Sequence, residues 1–158
     1  MSEVGKHLRI QEPNAEGSTP DNSPLGAASK NRVITFIDLF AGCGGLSEGF
    51  LLSRKFEGLA HVEWEKAMVD TLRNRLVSHW GENFESAQNS VIHFDIQKSS
   101  ELIEGHWSDE SIQAYGKTNS QDVINNGLKG VIGKRNVDIV IGGPPCQAYS
   151  IHGRAQDP

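Results

Sequence analysis

The chain has 158 residues, 37% hydrophobic and 22% charged, with 15 basic against 20 acidic side chains for a net charge of −5. That size suits one domain with its own core, and the composition is ordinary for a globular protein. Two cysteines rule out a disulfide scaffold and fit a reducing compartment, no apolar run approaches the ~20 residues of a membrane span, and the acidic balance is not that of a uniformly basic nucleic-acid binder.

The N-terminal MSEVGKHLRI lacks the apolar stretch of a signal peptide, so the expected location is the cytoplasm. Charge is uneven along the chain. Residues 129–158 carry Lys129, Lys134, Arg135 and Arg154 against Asp138 and Asp157, so only this end leans basic.

Residues 11–32, QEPNAEGSTPDNSPLGAASKNR, are rich in Pro, Ser, Asn and Gly. Such a segment buries too little apolar surface to offset the entropy of ordering, and residues 1–32 are expected to be a disordered polar lead-in to a domain over 33–158. VITFIDLF (Val33–Phe40) is a nearly continuous apolar run, the pattern of a strand covered on both faces. The glycine-rich AGCGG (Ala41–Gly45) turns the chain, and Leu46–Leu52 resumes with helical spacing.

GLAHVE (Gly58–Glu63) reads as a second strand and Glu65–Trp80 as a helix with Ala67, Met68, Leu72, Leu76 and Val77 near one face. VIHFDI (Val91–Ile96) is a third short strand, residues 97–120 are polar and ambiguous, and Gln121–Ile132 is a helix. A fourth strand, Val137–Ile141, leads into GGPPCQAYS (Gly142–Ser150). Strands alternating with helices imply βαβ units: an α/β, Rossmann-like parallel sheet with helices on both faces, here ending after the fourth strand.

Ligands in such sheets bind outside the carboxyl ends of the strands. Four groups fall at that edge: the glycine turn, Glu63 with Trp64, Asp95, and Cys146. Each has a plain structural alternative, as a tight turn, a solvated strand-end charge beside a core indole, a turn cap, or a buried thiol. Their joint placement is the informative observation. Glycines let backbone approach a ligand closely, but the third glycine of a dinucleotide fingerprint would fall at Ser47. Glu63 lies 18 residues after Gly45, near the ~20 of a carboxylate that grips a ribose. An adenosyl pocket without the third glycine favours S-adenosylmethionine over a nicotinamide cofactor and disfavours an oxidoreductase.

FIDLFAGCGG, VEW, FDI and GGPPCQAYS, in this order and spacing, resemble the first four motifs of the cytosine-C5 DNA methyltransferases, over residues 33–155. The resemblance implies a fold that binds S-adenosyl-L-methionine, with Phe40 and Trp64 on the adenine faces, Glu63 on the ribose and Asp95 on the adenine amino group. It further implies that backbone at Ala41, Gly42, Gly44 and Gly45 faces the methionine part, that Ile96 and Pro145 lie beside the cofactor, and that no metal is required. Cys146 would be the nucleophile, aimed by Pro144 and Pro145. Gln147, Ser150, His152 and Arg154 would lie on a loop meeting duplex DNA with a flipped cytosine. Cys43, at a position the family varies, is read as packing.

The family's Glu-Asn-Val element, its recognition region and its C-terminal helix are not found. The expectation is therefore a fragment, a truncated product, or one half of a split enzyme with a C-terminal complementing polypeptide, inactive alone. Two other readings stay open: a non-catalytic module that binds cofactor or a partner, and a transfer-RNA cytosine methyltransferase on the same motifs.

Overall fold

The computed structural model describes residues 32–144. Four strands, β1 (Ile34–Asp38), β2 (Phe56–Glu63), β3 (Val91–His93) and β4 (Ile139–Ile141), form one sheet in the order β3-β2-β1-β4, with every pair parallel. Helices α1 (Gly45–Leu52), α2 (Lys66–Ser78), α3 (Phe84–Ser90), α4 (Ser99–Glu104), α5 (Asp109–Tyr115) and α6 (Gln121–Ile132) fill the crossovers. The chain runs outward from β1 through β2 to β3 and then returns to the other side of β1. The order therefore reverses between β1 and β4, the point at which open α/β sheets form their ligand crevice.

Side-chain alternation along the strands divides the interior into two layers. Ile37, Ala60, Val62, Ile92 and Phe94 pack with Leu102, Trp107, Val123, Ile124 and Leu128 of the α4–α6 side. Phe94 stacks on Trp107 with ring centroids 4.2 Å apart. On the opposite face Val69, Leu72 and Leu76 of α2 meet Ala87 and Val91, and Phe36 packs against Phe50 of α1. Burying each of the Val, Leu, Ile and Phe side chains stabilises the fold by ~1.5–3 kcal/mol. Both faces are covered, which is why the strands read as unbroken apolar runs.

The expected elements are present with shifted ends. β1 ends at Asp38, although the Leu39 amide still donates to the Ile141 carbonyl over 3.0 Å, and β3 is only three residues long. Glu65 is the N-cap of α2, its carboxylate accepting from the Ala67 amide. The expected buried face of α2 needs correction: Ala67 and Met68 are exposed, and Val69 and Arg73 take their places beside Leu72 and Leu76. Arg73 is buried because its guanidinium donates to the Val91 carbonyl over 2.5 Å, joining α2 to the start of β3.

β4 is fixed to β1 beyond its short ladder. The Asp138 carboxylate accepts from the Thr35 amide and hydroxyl, each at 3.0 Å, and pairs with Arg32. These donors, the Thr35 amide first, hold the Asp138 carboxyl below its usual range. Among the described residues no helix is long and apolar enough to cross a membrane.

Candidate cofactor and catalytic site

Every strand delivers a loop to the same carboxyl edge. A cavity of about 330 Å³ opens there, lined by Leu39 and Phe40 after β1, Val62, Glu63 and Trp64 at the end of β2, Phe94 to Gln97 after β3, and Pro144 after β4. Its walls are mainly apolar, and Glu63 and Asp95 are the two carboxylates on its rim. The donor set suits a planar apolar ring carrying hydroxyl and amino groups.

The glycine turn is held at nearly every residue. The Phe40 amide donates to Asp38 Oδ1 (3.3 Å), the Ala41 amide to the Val62 carbonyl (3.0 Å) and the Gly42 amide to Glu63 Oε2 (2.8 Å). The Cys43 carbonyl accepts from the Arg75 guanidinium (3.1 Å), which also pairs with Glu48 of α1. Gly44 has φ +91°, a conformation that favours glycine, and a Cβ there would sit 2.5 Å from Leu72 Cδ1 and have to displace that side chain. At the end of β4, a Cβ on Gly142 would press on the Phe40 ring at 3.1 Å. The strand-four loop therefore lies directly against Phe40.

Glu63 ends β2 with its carboxylate already in a cage of amides: Oε1 accepts from Trp64 (2.9 Å) and Glu65 (2.8 Å), and Oε2 from Gly42. The Trp64 indole is 67% exposed at the cavity mouth, available for stacking rather than part of the core. Its carbonyl is the acceptor for His93 Nε2 at 2.9 Å, which fixes that ring nitrogen as the protonated one. Burial holds the His93 pKa below its ordinary value, opposed by the bond to Trp64. Asp95 caps the turn after β3, its Oδ1 accepting from the Gln97 amide at 2.9 Å.

One polar cluster escaped the sequence reading. Asp38, Ser47 and His61 are each at most 1% exposed and lie beneath the glycine turn. Ser47 Oγ donates to Asp38 Oδ2 over 2.7 Å and lies 3.0 Å from His61 Nδ1. Burial pushes the His61 pKa down to about 4, against the pull of Asp38. The three residue types are those of a hydrolytic triad, but here serine sits in the middle, donates its proton to the carboxylate and is sealed from substrate. Nucleophilic attack by Ser47 is excluded by that geometry.

The structure thus brings Phe40, Ala41, Gly42, Gly44, Gly45, Glu63, Trp64, Asp95 and Ile96 to one edge of the sheet, and Phe40, Glu63, Trp64, Asp95 and Ile96 line the cavity itself. Pro145, Cys146, Gln147, Ser150, His152 and Arg154 lie outside the described residues. Cys43 is a correction: it is exposed at the tip of the turn rather than packed.

A family model described as C-5 cytosine-specific DNA methylase matches residues 34–157. The chain is 32% identical over 146 residues to type II methyltransferase M.Bpa9945I of Bacillus paralicheniformis, covering 76% of this chain and 32% of that protein. It is 32% identical over 121 residues to type II methyltransferase M1.HphI of Haemophilus parahaemolyticus, covering 77% and 23% of the two chains. Against DNA (cytosine-5)-methyltransferase 1B of Oryza sativa subsp. japonica the identity is 24% over 137 residues, covering 85% and 8%. The chain therefore spans about a third or less of these curated relatives. No solved structure matches it. With the matched region running from β1 past the end of β4, the chain belongs to the C-5 cytosine-specific DNA methylase family.

Proposed function

We propose that this chain forms the cofactor-binding part and carries the nucleophile of an enzyme that transfers a methyl group from S-adenosyl-L-methionine to C5 of cytosine in DNA. The observation that carries this reading is the convergence of four strand-end loops on one cavity, with Pro144 on its wall two residues before Cys146. DNA is favoured over transfer RNA as the substrate because the matching relatives are named as DNA or type II methyltransferases, and the type II names favour a restriction-modification setting.

The residues fit the cofactor. Phe40 and Trp64, both lining the cavity, would pack on the adenine, Glu63 keeps an acceptor site on Oε2 for a ribose hydroxyl, and Asp95 would accept from an exocyclic amine. Ile96 lies on the apolar wall, we assign Pro145 a place beside the cofactor, and backbone around Gly42, Gly44 and Gly45 would border the methionine portion. When bound, S-adenosylmethionine supplies an electrophilic methyl group on a sulfonium.

Cys146 then does the work a cytosine cannot do alone. Its thiolate adds to C6, which turns C4–C5 into an electron-rich enamine. C5 gains the methyl group and loses its proton, and the C6–S bond breaks to return the thiolate. Free cysteine titrates near ~8.5, so a positive neighbour is needed to raise the thiolate fraction. The target atom lies within the duplex, so the base must be flipped out, and we assign Gln147, Ser150, His152 and Arg154 to contact with the DNA.

Since the chain spans about a third or less of its relatives, we assign target recognition to sequence outside it, as a continuation or a complementing C-terminal polypeptide. The test is transfer of a tritiated methyl group to DNA by this chain joined to that remainder. Incorporation that depends on Cys146 is the expected result. Incorporation unaffected by Cys146→Ala overturns the reading.

A further inference from the structure

We propose that Ser47 is a positioning residue for the glycine turn, acting as a buried hydrogen-bond link between Asp38 at the end of β1 and His61 on β2. The assignment follows from counting protons. The serine hydroxyl has one hydrogen, and the 2.7 Å contact to Asp38 Oδ2 takes it, a carboxylate being the stronger acceptor. The 3.0 Å contact to His61 Nδ1 is then a hydrogen bond only if that nitrogen donates to Oγ. His61 is therefore held as the neutral Nδ1–H tautomer.

The linkage reaches the cavity at both ends. Asp38 Oδ1 accepts from the Phe40 amide, and Phe40 lines the cavity. His61 lies two residues before Glu63, whose Oε2 accepts from Gly42. The chain Phe40–Asp38–Ser47–His61 thus joins the two strand ends that present the cavity's ring-binding and carboxylate groups, and it runs through α1 rather than through the sheet ladder. Stability alone gives little reason for it. Three polar side chains at 0–1% exposure must satisfy one another or cost free energy, whereas an apolar trio of similar shape would fill the space freely.

The test is native-state hydrogen exchange on the 158-residue chain at neutral pH, reading the amides of Phe40 and Gly42 against those of Leu76 in α2 and Ile124 in α6. In Ser47→Ala the Phe40 and Gly42 amides should exchange about tenfold faster or more while the two references hold their rates. Equal acceleration of all four, or of none, overturns the proposal. Should Ser47→Ala fail to fold, His61 variants decide. His61→Asn can place an amide nitrogen where Nδ1 stands and should retain protection at Phe40 and Gly42. His61→Leu should lose it, and equal protection in the two variants counts against the link.

A second measurement, which rests on the proposed cofactor, is calorimetric binding of S-adenosylhomocysteine, expected to weaken about fivefold or more in Ser47→Ala. Unchanged affinity with a loosened turn overturns the claim that the link serves the cofactor. A wild-type chain that does not bind, with the amides responding as stated, sinks the cofactor reading and leaves the positioning role standing.

Discussion

The Gly42 amide donates to Glu63 Oε2 over 2.8 Å, so the carboxylate expected to grip a ribose also ties the turn after β1 to the end of β2. Glu63 therefore has two duties. Glu63→Ala should weaken S-adenosylmethionine binding by ~1.5–3 kcal/mol, the worth of charge-assisted hydrogen bonds. It should also lower thermal stability, since three amides lose their acceptor. Calorimetry and thermal melts read the two effects separately, and unchanged affinity would sink the ribose assignment.

Trp64 should behave in the opposite way. Its indole is 67% exposed and its backbone is held by His93, so Trp64→Ala should change stability by no more than ~0.5 kcal/mol. Loss of stacking should cost cofactor affinity roughly 1 kcal/mol or more. A large drop in melting temperature with intact affinity would show Trp64 to be structural.

Cys146 and Cys43 separate by trapping. With the rest of the enzyme supplied, DNA containing 5-fluorocytosine should form a denaturation-resistant adduct, because fluorine blocks the final elimination. Cys146→Ser should abolish the adduct, and Cys43→Ser, at an exposed turn position, should leave it intact. An adduct surviving Cys146→Ser overturns the covalent mechanism.

His61 makes the fold sensitive to acid. Its pKa is about 4 when folded, against ~6.5 in an unfolded chain. Between those values the unfolded state binds more protons, so stability rises with pH there. The contribution is whole above pH ~6.5 and falls away toward pH ~4, a loss of roughly 3 kcal/mol at 1.36 kcal/mol per unit. His93, also lowered by burial, acts in the same direction. Urea titrations at several pH values should show this slope, and it should shrink in His61→Asn; an identical slope in the variant contradicts the assignment.

Gly44→Ala should destabilise the chain by about 1–3 kcal/mol, from a left-handed backbone at φ +91° and a contact with Leu72 at 2.5 Å. A denaturant midpoint equal to wild type would mean that the turn and α2 adjust freely.

The four strands, and Phe40, Glu63, Trp64, Asp95 and Ile96 at the cavity, were legible because buried parallel strands write themselves as apolar runs, and strand-end motifs follow them at once. α3 was missed because FESAQNS buries only Ala87 and has no apolar stripe. Its signal was the Asn83 cap, which accepts from the Ser86 amide, just as Ser108 opens α5 by accepting from Ser111. Met68 was misassigned to the core because hydropathy cannot see that α2 meets the sheet through Val69. Arg73 and the Asp38–Ser47–His61 cluster were invisible for a related reason. Polar side chains become interior only through partners supplied by distant elements, and a local pattern carries no record of them.

The pairing of β4 with β1 has a consequence for how the molecule comes together. Thr35 and Asp138 bond across 103 positions of sequence, whereas β2 and β3 join the sheet through shorter crossovers. Closing so long a loop is entropically demanding and waits until nearer contacts have formed. During synthesis, the platform of β1, β2 and β3 leaves the ribosome first, with its glycine turn and Glu63 already able to meet. β4, the strand that leads toward Cys146, is expected to dock last, onto a nucleus assembled without it.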